Sequence, residues 1–268
     1  MLWTDLLRRS PRTPGPSLGA VLLTVTLAGC MTAEPEQCLV TGAVSAAESE
    51  ALRESCERAA PVVEDLWQGW AGQVPIVRAA SPLSPGVAAQ VEGGAGPGEQ
   101  AGEDRLLIGP DVVRQLSPEG LDIVMRHELT HLAMRSTGTA PLPPWVSEGL
   151  AEYAGYDGVD DARRERREDL LALRAAVDSG TWTGSLPDRA DLQVSGTRAE
   201  AYTAAWLGIT VLVEAVGLET VTEAMRPVEG EPDALGDGER TDRFLQRVGV
   251  ERGWLEDLWR RELQRRTL

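Results

Sequence analysis

The chain contains two histidines, His127 and His131, set four positions apart with Glu128 beside the first. The run His127-Glu128-Leu129-Thr130-His131 constrains the local fold more than any other stretch. On a helix, positions i and i+4 share one face about one turn apart, so two imidazoles there can grip a single ion. Neutral imidazole is a favoured zinc ligand, and the glutamate between the pair can serve as general base toward a zinc-activated water. Glu128 lies about 100° around the helix from His127, close to the site yet outside the ligand set. The competing reading of so short a pattern is a solvated helix with two incidental histidines.

The neighbouring residues support a helix at this position. Ser117 suits the N-cap, Pro118 the first helical position, and Glu119 the positive end of the dipole. Leu121, Val124, Met125, Leu129 and Leu132 supply apolar faces, and Gly138 suits the C-terminal cap. After Pro143-Pro144, the segment Trp145-Val146-Ser147-Glu148-Gly149-Leu150-Ala151-Glu152-Tyr153 reads as a second short helix, with Trp145 expected to anchor it against the first. A catalytic zinc takes three protein ligands and a water. With both histidines used, a three-histidine set is impossible, and the third ligand has to be a carboxylate or a cysteine. A short loop turning the chain back lets an antiparallel helix present Glu148 to the pair. Gly149 costs about 1 kcal/mol inside a helix, and close approach of another helix accounts for it better than an irregular helix start. Glu152 follows Glu148 by one turn on the same face. It reads either as the partner of a liganding histidine's free ring nitrogen or as a surface glutamate.

Together the two motifs resemble the gluzincin metallopeptidases, in which a W-x-x-E-G-x-A-E-Y segment follows HExxH. Within that clan the chain is most similar to the bacterial peptidase MA-like group, distantly related to thermolysin and the aminopeptidase N family, over roughly residues 74–265. The resemblance implies His127, His131 and Glu148 as zinc ligands and a zincin-like fold. It also implies Tyr202 as donor to the tetrahedral oxyanion; otherwise Tyr202 is a core tyrosine with a wet hydroxyl. Arg198, nearby, is a further candidate, for a substrate carboxylate.

The N-terminus says where such a protein would work. Residues 1–29 read as a secretory signal, with Arg8, Arg9 and Arg12 ahead of an apolar run over residues 18–27. It ends in Leu27-Ala28-Gly29-Cys30, which resembles the lipobox of bacterial lipoproteins and implies a diacylglyceryl group on Cys30. The expected location is the extracytoplasmic face of the cell membrane, held by that lipid. Residues 30–44 are expected to be a tether. In an exported chain Cys38 and Cys56 are most simply a disulfide joining the N-terminal segment to the helix near Cys56. The net charge is −16, and loss of residues 1–29, with three arginines and one aspartate, leaves −18. So acidic a chain has no general basic field for nucleic acid.

Residues 45–268 read as one domain, α+β in class, with a small, mostly antiparallel sheet beside a helical half that carries the histidine helix. Residues 45–70 form a helix interrupted or restarted at Pro61. Strand-like runs follow at 74–77, 87–91 and 105–109, and residues 93–104 form a mobile loop between the last two. Beyond the two motif helices, a charged stretch at 160–169 opens a helix with a solvated first half. Residues 199–216 form an apolar helix at the centre of the core, and two short helices close the chain near 244–248 and 255–263. The leading functional expectation is a membrane-anchored zinc metallopeptidase acting on peptides or proteins. The alternatives are a non-catalytic lipoprotein serving as a binding scaffold and a zinc amide hydrolase acting on a cell-wall component.

Overall fold

The structure, a computed structural model, describes residues 37–268 except 69, 71–72, 85–86, 94–103, 137–141, 157–161, 184–185, 195 and 227–234. The segment expected to be a signal, Cys30, Gly138 and nearly all of the loop expected at 93–104 lie outside the described residues. In chain order the elements are β1 (Cys38–Thr41), α1 (Ala46–Leu66), β2 (Val74–Arg78), β3 (Ala89–Glu92), β4 (Arg105–Ile108), α2 (Val112–Gln115), α3 (Pro118–Ser136) and α4 (Pro144–Tyr156). They continue with α5 (Ala162–Asp178), α6 (Arg189–Gln193), α7 (Arg198–Val216), α8 (Leu218–Ala224), α9 (Asp237–Val248) and α10 (Arg252–Arg266). The class is α+β, as expected.

The sheet departs from expectation. Its order is β1-β2-β4-β3, with β1–β2 and β2–β4 parallel and only β3–β4 antiparallel. It is therefore mixed, and not mostly antiparallel. The reason lies in the segment expected to be tether, where Cys38–Thr41 instead pairs with Val74–Val77 as an edge strand. A strand, a helix and a neighbouring strand in sequence form a crossover unit, which makes the pair parallel. The Cys38–Cys56 disulfide ties β1 to α1, as the cysteine count suggested. Alternation along β2 buries Val74 and Ile76, and along β4 Leu106 and Ile108, giving the sheet its core face.

Helix α1 starts at a capping box between Ser45 and Glu48 and runs through Pro61 without a break. Pro61 lies on the exposed side, while Ala59, Ala60 and Val63 on either side of it are fully buried. Their packing offsets the lost backbone hydrogen bond. One turn into α3, Asp122 accepts from Ser55 Oγ at 2.7 Å and from Arg58 Nε and Nη2 at 2.9 Å each, fixing α3 against α1. At the start of α3, the Gly120 amide donates to Ser117 Oγ at 3.1 Å, the expected cap.

Helix α7 is the centre of the helical half. Its buried residues lie between Ala201 and Leu212; Trp259 Nε1 of α10 donates to the Ala204 carbonyl, and α4 crosses it closely at Gly149. Arg198–Val216 is long and apolar enough to cross a membrane, but its burial by other helices accounts for that composition. Trp145 is a buried anchor of α4. Its ring packs edge-on to Phe244 of α9 with centroids 5.9 Å apart, and its Nε1 donates to Thr241. It thus ties α4 to α9. In the half of α5 expected to be solvated, Arg167 and Glu168 are exposed, but Arg166 is only 3% exposed.

Candidate metal centre

Helices α3 and α4 run antiparallel. Ser147, early in α4, meets His131 and Met134 late in α3, while Gly155, late in α4, meets Ile123 and His127 nearer the start of α3. This arrangement carries Glu148 to the histidine pair across the helix interface. His131 Nε2 is 3.2 Å from His127 Nε2. Glu148 Oε2 closes the triangle, 3.5 Å from His127 Nε2 and 3.4 Å from His131 Nε2. A tetrahedral ion with bonds of about 2.0–2.1 Å has ligand-to-ligand edges of about 3.3–3.4 Å. The three measured edges fit that figure. Two imidazole nitrogens and a carboxylate oxygen also leave a fourth vertex for water or substrate. The residues present can therefore hold a divalent metal ion.

Gly149 explains how Glu148 arrives there. A Cβ at Gly149 would lie 2.5 Å from the Ala205 carbonyl oxygen and 2.7 Å from Ile209 Cγ1 of α7. Only glycine lets α4 lie so close to α7, and the close helix approach expected from the sequence is the reason for it.

Three further groups complete the cluster. Glu152 Oε1 lies 3.2 Å from His127 Nδ1, which makes it the histidine's partner and not a surface glutamate; it is 5% exposed. Glu128 is 7% exposed and its carboxylate accepts from the Val91 amide of β3. Tyr202 of α7 stands over the same space, its ring centroid 6.2 Å from that of His127 and its hydroxyl bonded to Glu148. The histidines, Glu128, Glu148 and Tyr202 line a cleft of about 460 Å³ whose other walls include Val87, Ala89, Met134, Leu142 and Ser147. Arg198 lies elsewhere, its guanidinium donating to the Gln193 carbonyl at 3.0 Å, and the cleft does not include it.

The electrostatics separate the roles. Burial opposes charge on His127, but the carboxylates of Glu148, Glu152 and Glu128 outweigh it and push its pKa up to about 10. Burial likewise opposes charge on Glu148 and Glu152. The two histidines override it at Glu148, while Arg166 and His127 override it at Glu152, and both carboxyls stay well below the usual carboxylate range. At Glu128 burial wins over the histidines, so its pKa is raised. A carboxylate so placed is a better proton acceptor near neutral pH. Burial, then the charges of Glu148, Glu152 and Glu128, raise the Tyr202 hydroxyl and keep it a proton donor.

Three contributors were not singled out in the sequence. Ser147 Oγ lies 3.4 Å from His131 Nδ1, the Val91 amide holds Glu128, and Arg166 holds Glu152. A serine beside a ligand, a strand amide and one arginine of an arginine-rich run carry no pattern that spacing reveals. No family model matches the chain, and no curated protein or solved structure matches it.

Proposed function

We propose that this chain is an extracytoplasmic zinc metallopeptidase of gluzincin type with a zincin-like fold. The observation that carries the reading is the triangle of His127 Nε2, His131 Nε2 and Glu148 Oε2, with edges of 3.2–3.5 Å, opening on a cleft that also contains Glu128 and Tyr202. Two nitrogens and one oxygen at tetrahedral spacing favour zinc over the oxygen-seeking magnesium and calcium. Zinc bound there supplies a Lewis acid that polarises a carbonyl and acidifies water. Glu128, with its raised pKa, accepts the proton of the attacking water and delivers it to the departing amine. The Tyr202 hydroxyl, held protonated, donates to the oxygen on which charge develops. Peptide and protein chains are the proposed substrates. The proposed location is the outer face of the cell membrane, held by a lipid on Cys30.

The test is hydrolysis of a peptide library by the purified chain, with mass-spectrometric readout, before and after a chelator and again after zinc is restored. Chelator-sensitive, zinc-restored cleavage supports the reading. A chain that binds one zinc and cleaves no peptide would leave a metal-binding scaffold. For the location, Cys30→Ser should move the protein from the membrane to the soluble fraction, and retention in the membrane would refute the lipid anchor.

A further inference from the structure

Arg166 lies in the run Arg163-Arg164-Glu165-Arg166-Arg167. Arg167 beside it is exposed, yet Arg166 is 3% exposed. A guanidinium taken out of water destabilises a fold unless charge and hydrogen bonds compensate it. Its compensation lies at the back of the metal centre. Nη2 bonds to Glu152 Oε2. Its Cζ lies over the Tyr156 ring, 3.7 Å from the centroid, and over the Trp206 ring at 4.9 Å, and Asp169 Oδ2 is 3.6 Å from Nη1. Glu152 divides its two oxygens, giving Oε2 to Arg166 and Oε1 to His127 Nδ1. One line of contacts thus runs from Asp169 through Arg166 and Glu152 to the imidazole.

We propose that Arg166 is a positioning residue for the metal centre. By pinning one oxygen of Glu152, the guanidinium fixes the direction of the other. That oxygen holds the His127 ring with its proton on Nδ1 and its Nε2 toward His131 and Glu148. Arginine suits this place because its planar group can bond a carboxylate at its edge and still lie over the Tyr156 and Trp206 rings; a lysine ammonium has no such plane. This inference rests on the metal-site reading above, and it assigns a function to an arginine that would otherwise serve only to dock α5 on α4 and α7.

The experiment is a double-mutant cycle read in zinc affinity, measured on the full chain by competition with a chromophoric chelator. Arg166→Met should weaken zinc binding by about 10-fold or more, within the range of about 10–100-fold for outer partners of metal ligands. In a Glu152→Ala background the same change should have no further effect, because the route through Glu152 is already lost. Equal losses in both backgrounds, or an unchanged affinity, overturn the proposal; a residue that only docks α5 would give one of those results. Should Arg166→Met fail to fold, Arg166→Lys takes its place, with a smaller loss that again vanishes in Glu152→Ala. Because the chain has only two histidines, ¹⁵N-histidine spectra of the zinc-loaded protein give a second readout. The His127 Nδ1–H signal should be protected in the wild type and exchange faster in Arg166→Lys, and identical exchange overturns the proposal. A wild-type chain that takes up no zinc overturns the metal-site reading itself, whereas a zinc-binding chain indifferent to Arg166 overturns this inference alone.

Discussion

The two histidines sit one helical turn apart on α3, yet the protein holds them by different means. His127 is 5% exposed, its Nδ1 facing a carboxylate that is itself held by a buried arginine lying over two aromatic rings. The His131 side chain is 18% exposed, and its Nδ1 faces the neutral Ser147 hydroxyl at 3.4 Å at the wall of the cleft. The first arrangement immobilises; the second leaves room. A metal site that must both hold an ion and admit a substrate needs one wall of each kind. The rear wall is the one proposed to fix the coordination geometry, and the front wall carries Glu128 and Tyr202, the groups proposed to meet substrate.

That division of labour puts the largest effect at the front wall and leaves the metal in place. Glu128→Gln should keep zinc and fold while turnover falls by at least ~10²-fold. Zinc content and peptide hydrolysis measured on the same sample check this, and near-normal turnover would remove the base from Glu128. Next comes the crossing that delivers Glu148. Gly149→Ala forces a methyl group into the Ala205 carbonyl and should destabilise the chain by about 1–3 kcal/mol, as overpacking does; an unchanged urea midpoint would refute so tight a crossing.

The third effect sets the two walls against each other. Glu152→Ala should weaken zinc binding by about 10–100-fold, whereas Ser147→Ala, which removes one neutral hydrogen bond of about 0.5–1.5 kcal/mol, should cost about 2–10-fold. Equal losses would erase the distinction between the walls.

The smallest effect is one of acidity in the metal-free chain. Glu152 has its pKa lowered from 4.5 to about 2, chiefly because Arg166 and His127 outweigh the cost of burial. A carboxyl whose folded pKa lies below its unfolded value stabilises the fold fully above about 4.5, and that stabilisation is lost as pH falls toward about 2. Urea midpoints at pH 7 and pH 3 should therefore differ more in the wild type than in Glu152→Gln. A steeper acid loss in the variant would contradict the sign.

Part of this was legible from spacing, because helical geometry is local. His127, Glu128 and His131 are placed by a repeat of 3.6 residues, and Ser117 and Pro118 mark where their helix begins. A glycine in a helix at 149 already signalled a close neighbour, and the pair of cysteines beyond Cys30 signalled a cross-link. What stayed hidden depends on contacts distant in sequence. Cys38–Thr41 became a strand only because Val74–Val77 offers it an edge, and that pairing also makes most of the sheet parallel. Trp145 turned toward Phe244 and Thr241, nearly a hundred positions away.

Spacing alone was enough to set two imidazoles on one helix face with a glutamate beside them, since a single turn of backbone suffices for that. It also named Glu148 as a carboxylate that a returning helix could present. The fold supplied the rest: the edges of the triangle, the burial of Arg166 behind Glu152, and the strand amide that steadies Glu128. Those features depend on the crossing of α3, α4, α5 and α7 and on the loss of water between them. Charge and hydrogen bonding acquire their strength from that burial, and no spacing along the chain records it.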